Sequence, residues 1–68
     1  VLPDQTKLKA IGQNVRFEDD VRLLHPERIS IGDDVMFMYG VYLSPAGSEI
    51  TIGSNTHFAP YGVLYGPL

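Results

Sequence analysis

"ISIGDDVMFMYGVYL" occupies residues 29–43, and "ITIGSNTHFAPYGVL" follows at 50–64, its start 21 residues further on. "AIGQNVRF" at 10–17 is a third copy of the opening phrase. Ile11, Ile31 and Ile52 each precede a glycine (Gly12, Gly32, Gly53) and lie 20 and 21 residues apart. Each copy divides into six-residue steps that begin at Ile11, Phe17 and Leu23, at Ile31, Phe37 and Leu43, and at Ile52, Phe58 and Leu64. The order Ile, Phe, Leu thus occurs three times in register. The fifth place of the first two steps is also apolar or small: Val15 and Val21, Val35 and Val41, Thr56 and Gly62. The third step breaks this, with Glu27 and Gly47 there.

A repeat period of this size is read before helices and strands, because it sets the architecture. An amphipathic helix needs apolar residues at 3.6-residue spacing and no interior proline. A period of six, rich in β-branched and aromatic residues and punctuated by Gly and Pro, predicts short strands joined by tight turns instead. Three strands make one triangular coil, and successive coils lie about 4.8 Å apart, the spacing of hydrogen-bonded strands. Ile then stacks on Ile, Phe on Phe and Leu on Leu, each coil burying its apolar face only against its neighbours. The expected fold is all-β, a parallel β-helix of about three coils starting near residues 11, 31 and 52, preceded by a lead-in segment over 1–10, in a single domain over 1–68. The residues in excess of three hexads fall in the third step, at "LLHPERIS" (23–30) and "LSPAGSEIT" (43–51), so two enlarged corners are expected to stack.

"IGQNVR", "IGDDVM" and "IGSNTH", each followed by a second apolar-led hexad, resemble the hexapeptide-repeat family, whose coils read [LIV]-[GAED]-x-x-[STAV]-x. The resemblance covers nearly all of residues 10–68 and implies a left-handed parallel β-helix, an exception to the right-handed rule for parallel crossovers. More narrowly, "HPERISIGDDV…GVYLS…ITIGSNT…GVLYGP" is similar to the amino-terminal coils of sugar O-acetyltransferases. That resemblance implies a homotrimer, an acyl-CoA co-substrate (acetyl-CoA or another) held between subunits, and a histidine acting as general base on a sugar hydroxyl. In such enzymes the histidine lies in a later coil or loop, so a truncated helix is expected here. Maltose and galactoside acetyltransferases carry acceptor-binding Asn and Asp in the coil after an Ile-Gly hexad. "FMYGVYLSPA" at 37–46 has neither.

Composition bounds the alternatives. A chain of 68 residues is small for a self-sufficient core, and such chains rely on disulfides, metals or oligomerisation. There is no Cys, which leaves oligomerisation or a place in a longer protein; a start at Val1 rather than Met fits the latter. A net charge of −3 lacks the basic footprint of a nucleic-acid binder. No apolar run approaches the ~20 residues that span a bilayer, and no signal peptide is expected. A cytoplasmic protein is the expectation.

His57 takes the sixth place of its hexad and is expected to point outward. It reads either as a general base, histidine being the side chain that ordinarily exchanges a proton near neutral pH, or as a solvated surface residue. His25, before Pro26 in the enlarged corner, is expected to serve the turn in an extended conformation. Some left-handed β-helices are trimeric zinc carbonic anhydrases with three histidines across an interface; His25 and His57 sit at non-equivalent places, and no metal is expected. Arg16, Arg22 and Arg28 fall one on each side of the first coil, where they are expected to pair with the carboxylates of "FEDD" and Glu27; any one could meet a CoA phosphate. Tyr39, Tyr42, Tyr61 and Tyr65 are expected outward, against a partner subunit, with Tyr39 and Tyr61 also candidates for the acceptor sugar. Asn14, Asp33, Asp34 and Asn55 are expected in tight turns, where short polar side chains bond backbone and tolerate unusual φ. Gly12, Gly32 and Gly53 lack a phosphate-loop context and are read as repeat glycines that open the turns. Two functions stand beside the acyltransferase: a non-catalytic assembly or scaffold module, and the zinc trimer.

Overall fold

The computed structural model describes residues 4–66, so the first three residues of the lead-in segment and residues 67 and 68 of the expected domain lie outside the described residues. Nine short strands alternate with corners: β1 (Ala10–Ile11), β2 (Arg16–Phe17), β3 (Arg22–Leu23), β4 (Ile29–Ile31), β5 (Met36–Phe37), β6 (Tyr42–Ser44), β7 (Ile50–Ile52), β8 (His57–Phe58) and β9 (Val63–Tyr65). They form three parallel three-stranded sheets in the orders β1-β4-β7, β2-β5-β8 and β3-β6-β9. The chain therefore visits each sheet in turn and returns one strand higher, making three stacked coils. Apart from two 3₁₀ turns, Gln5–Lys7 and Pro26–Arg28, the described chain is all-β, an arrangement compatible with a parallel β-helix.

The hexad count sets the register. Ile11 pairs with Ile31 and Ile31 with Ile52; Phe17 pairs with Phe37 and Phe37 with Phe58; Leu23 pairs with Leu43 and Leu43 with Leu64. Strand residues alternate between faces, so these columns point inward and their neighbours outward. The phenylalanine rings lie nearly parallel with centroids 4.9 Å apart at both steps of the column. The middle coil holds the densest part of the core: Ile29, Val35, Phe37, Val41, Leu43 and Ile50 are buried. Full burial of one such side chain contributes about 1.5–3 kcal/mol. The equivalent Phe17, Leu23, Phe58 and Leu64 in the outer coils are only partly buried.

The short polar residues turn the first corner as expected, whereas the repeat glycines do not open it. Positive φ is carried by Asn14 (59°), Asp34 (57°) and Asn55 (63°), one above another, and none of Gly12, Gly32 or Gly53 adopts it. Short polar side chains tolerate the left-handed region, so they turn the chain. Asp33 and Ser54 add rungs between coils: the Gln13 amide donates to Asp33 Oδ1 at 2.7 Å, and the Asp33 amide to Ser54 Oγ at 2.9 Å. Gly32 instead makes room: a Cβ there would lie 2.7 Å from Ser54 Oγ and 2.8 Å from the Ser54 amide nitrogen. Asn55→Val is expected to destabilise the fold by about 1–2 kcal/mol, the cost of a side chain with a Cβ that cannot compensate in the left-handed region, measured as the shift in the urea midpoint. Asn55→Gly should lose little.

The second corner column runs Asp20 (φ 61°), Gly40 (φ 76°) and Tyr61 (φ 59°). A bulky residue in this conformation is an outlier that costs on the order of 1–3 kcal/mol. Gly40 accommodates it below, since a Cβ at Gly40 would overlap the Tyr61 ring. The enlarged third corners do stack: Arg28 Nη1 donates to the Gly47 carbonyl at 3.0 Å, and Ile29 pairs with Ile50. His25 departs from the extended conformation suggested by Pro26; it sits at φ 48°, ψ 59° at the start of the 3₁₀ turn, at the corner that carries the chain from β3 to β4. The carboxyl of Asp4 in the lead-in segment accepts from the Thr6 hydroxyl (2.6 Å) and amide (3.0 Å), which holds it below its ordinary range.

Candidate functional site

His57 and Phe58 are the two residues of β8, and Phe58 is drawn inward by its stack on Phe37. Alternation then sends His57 outward, as the hexad count predicts. Beneath it on the same outer face lie Met36 and Arg16, paired in register through β5 and β2. Two strand spacings separate the ends of this column, so Arg16 and His57 sit roughly 9–10 Å apart along the stack.

Beside the column, the first corner brings in Asn14 and Asp34, joined by a 2.8 Å hydrogen bond from Asn14 Nδ2 to Asp34 Oδ1. Together Asn14, Arg16, Asp34, Val35, Met36 and His57 line an open depression of about 270 Å³. It offers an imidazole, a guanidinium, a carboxylate and a thioether floor. Among the described residues His57 has no hydrogen-bond or ion-pair partner, so no orienting group is preset against its ring.

The three arginines of the first coil are not equivalent. Only Arg16 lines the depression with His57. Arg28 is held in the third corner by the Gly47 carbonyl, and Arg22 stands on the third sheet beside Tyr42. Two of the first-coil carboxylates, Glu18 and Glu27, meet groups other than the arginines. Glu18 Oε1 accepts the Tyr39 amide at 3.1 Å, and ion pairs join Lys9 to Glu49 (3.0 Å) and His25 to Glu27 (3.7 Å). These pairs are exposed and contribute at most about 1 kcal/mol each.

The tyrosines gather elsewhere. Tyr39 and Tyr61 meet edge to face at the second corner, with centroids 5.3 Å apart and planes at 89°. Neither lines the depression that holds His57. Tyr61, Val63 and Tyr65 alternate outward along the third coil at 71%, 67% and 67% exposure. With half-buried Tyr42 they give the third sheet and its leading corner an apolar outer face.

No three His, Cys, Asp or Glu among the described residues come together in a way that would hold a metal ion, and no helix among them is long and apolar enough to cross a membrane. The sequence singled out His57 without its surroundings. Arg16 was legible as one of three candidate phosphate contacts and Asp34 as a turn residue, and the strand pairing brings both to His57. Comparison with protein-family models, with curated proteins and with solved structures returned no match to this chain.

Proposed function

We propose that these coils belong to an acyl-CoA-dependent acyltransferase of the hexapeptide-repeat type, which moves an acetyl or similar group to a sugar hydroxyl. The supporting observation is the outward column Arg16–Met36–His57, which puts an imidazole and a guanidinium in one open depression. In this reading His57 takes the proton from the acceptor hydroxyl as its oxygen attacks the thioester carbonyl. The same proton is returned to the departing CoA sulfur. Arg16 faces a phosphate of the donor, the kind of charge-assisted contact a guanidinium makes well. Met36 provides an apolar floor between them.

The same reading makes the coils left-handed and the working unit a homotrimer, with the Tyr61, Val63 and Tyr65 face against a neighbouring subunit and the Tyr39–Tyr61 corner reaching toward the acceptor sugar. A cytoplasmic setting goes with an acyl-CoA donor. The test is calorimetry with acetyl-CoA. The folded chain is expected to bind it, and Arg16→Ala to weaken binding about 10-fold or more, the loss of a hydrogen bond to a charged group. His57→Ala should keep binding and lose acyl transfer. A folded chain that takes up no acetyl-CoA overturns the reading.

The assembly-module reading is favoured by a different observation, the exposed Tyr61, Val63 and Tyr65, which are gathered on one face rather than scattered singly. A face that binds partners while acetyl-CoA is ignored would select it.

A further inference from the structure

The assembly-module reading leaves its partner unnamed. We infer that the partner is a basic segment, an extended stretch of another protein bearing arginine or lysine, seated across the second corner of the coils on Tyr39 and Tyr61. The inference rests on that reading and is separate from the acyltransferase one. The second corner holds Glu18, Asp19 and Asp20 in the first coil, Met38, Tyr39 and Gly40 in the second, and Ala59, Pro60 and Tyr61 in the third. Backbone bonds stack them: the Gly40 amide donates to the Asp19 carbonyl at 3.1 Å, and the Tyr61 amide to the Tyr39 carbonyl at 2.9 Å. Tyr39 thus stands above Asp19, and Tyr61 above Gly40 and Asp20, about 4.8 Å per step. Glu18 Oε1 accepts the Tyr39 amide, which brings a third carboxylate under the aromatic pair.

This corner therefore turns two exposed rings and three carboxylates to the outside, with no Lys, Arg or His among its own residues. Arg16 and Arg22 stand on the strands before and after it. The other corners use their carboxylates within the molecule. Glu27 and Glu49 face His25 and Lys9, and Asp33 and Asp34 accept from the Gln13 amide and the Asn14 side chain. Asp20, by contrast, is exposed, and its carboxylate has no partner among the described residues. A guanidinium or ammonium fits such a surface: it lies on a tyrosine face within about 6 Å of the ring centre, and the carboxylates accept its N–H groups. The net charge of −3 draws a cation in from a distance. The corner is a ridge, whereas small-molecule sites are concave, so the cation is best delivered by a segment laid along it. Further coils above or below would lengthen this ridge and leave its outer side open: Tyr39, with a coil on either side, is still 45% exposed.

The test is an amide NMR titration with short blocked peptides that alternate glycine with arginine, glutamate or leucine. The arginine peptide is expected to bind, with shifts gathered at Tyr39, Gly40 and Tyr61, and to weaken as salt is raised. The glutamate peptide should not bind. Tyr61→Gly should weaken the arginine peptide by about 2–5-fold, the worth of an exposed cation–π contact. It should also melt no lower than the parent, because glycine is at ease at the φ of 59° that Tyr61 adopts. Glu18→Gln with Asp20→Asn keeps the acceptor for the Tyr39 amide and a side chain that tolerates the left-handed region. That pair should also weaken binding by about 2–5-fold, whereas Glu27→Gln at the third corner should leave it unchanged. No binding of the arginine peptide overturns the inference, as does binding that Tyr61→Gly leaves intact or that Glu27→Gln weakens equally. Binding of the leucine peptide alone, on Tyr61, Val63 and Tyr65, would overturn the basic partner while keeping the assembly reading.

Discussion

Phe37→Asp is expected to leave no folded chain, seen as loss of the cooperative melt and collapse of amide chemical-shift dispersion. Phe37 is fully buried between Phe17 and Phe58, with rings stacked at 4.9 Å on both sides. Removing such a ring costs about 3–5 kcal/mol. Placing a carboxylate there adds the cost of burying a charge without a partner. Small domains are stable by only about 5–15 kcal/mol, and a chain of this size lies toward the lower end. The same exchange at Phe17 should be milder, because Phe17 lies in an outer coil and is only partly buried. Equal effects at both positions would mean that the columns do not stack as described.

Gly32→Ala should lower the melting temperature by about 10 °C, although it adds a single methyl group. That methyl would lie 2.7 Å from Ser54 Oγ, 2.8 Å from the Ser54 amide nitrogen and 3.2 Å from the Gly53 carbonyl carbon. The hydroxyl of Ser54 can rotate away, but the backbone of the next coil cannot move without opening the hydrogen bonds from Gly32 to Ile52 and from Asp33 to Ser54. Overpacking of this kind costs about 1–3 kcal/mol, and each kcal/mol moves the midpoint of so short a chain by about 4–8 °C. Gly53→Ala, which meets nothing in the single chain, is the matched control. An unchanged melt for Gly32→Ala would show that the coils are further apart at this corner than described.

These two substitutions also separate what periodicity encodes from what it leaves open. The Ile, Phe and Leu columns were legible because a six-residue period assigns every residue a side of the coil, and three repeats in register assign it a neighbour above and below. The enlarged corners were legible too, since their extra residues fall in the same step of two coils. The candidate site was legible as His57 facing outward. The hexad count also puts Arg16, alone of the three arginines, on the same side of the coil as His57, but that the two share one depression depends on how the Asn14–Asp34 corner stands beside the column.

By itself, then, the sequence determined the all-β coil, its three-strand step, the inward columns and the outward placement of His57 and the tyrosines. All of these follow from alternation along a strand and repetition along the chain. The tertiary structure decided the rest. It gave the close approach to Gly32, put His25 and Tyr61 in the left-handed region, and distinguished a fully buried middle coil from partly buried outer ones. Those outcomes depend on atoms about 20 residues apart meeting across a strand spacing, and a local pattern carries no measure of that distance.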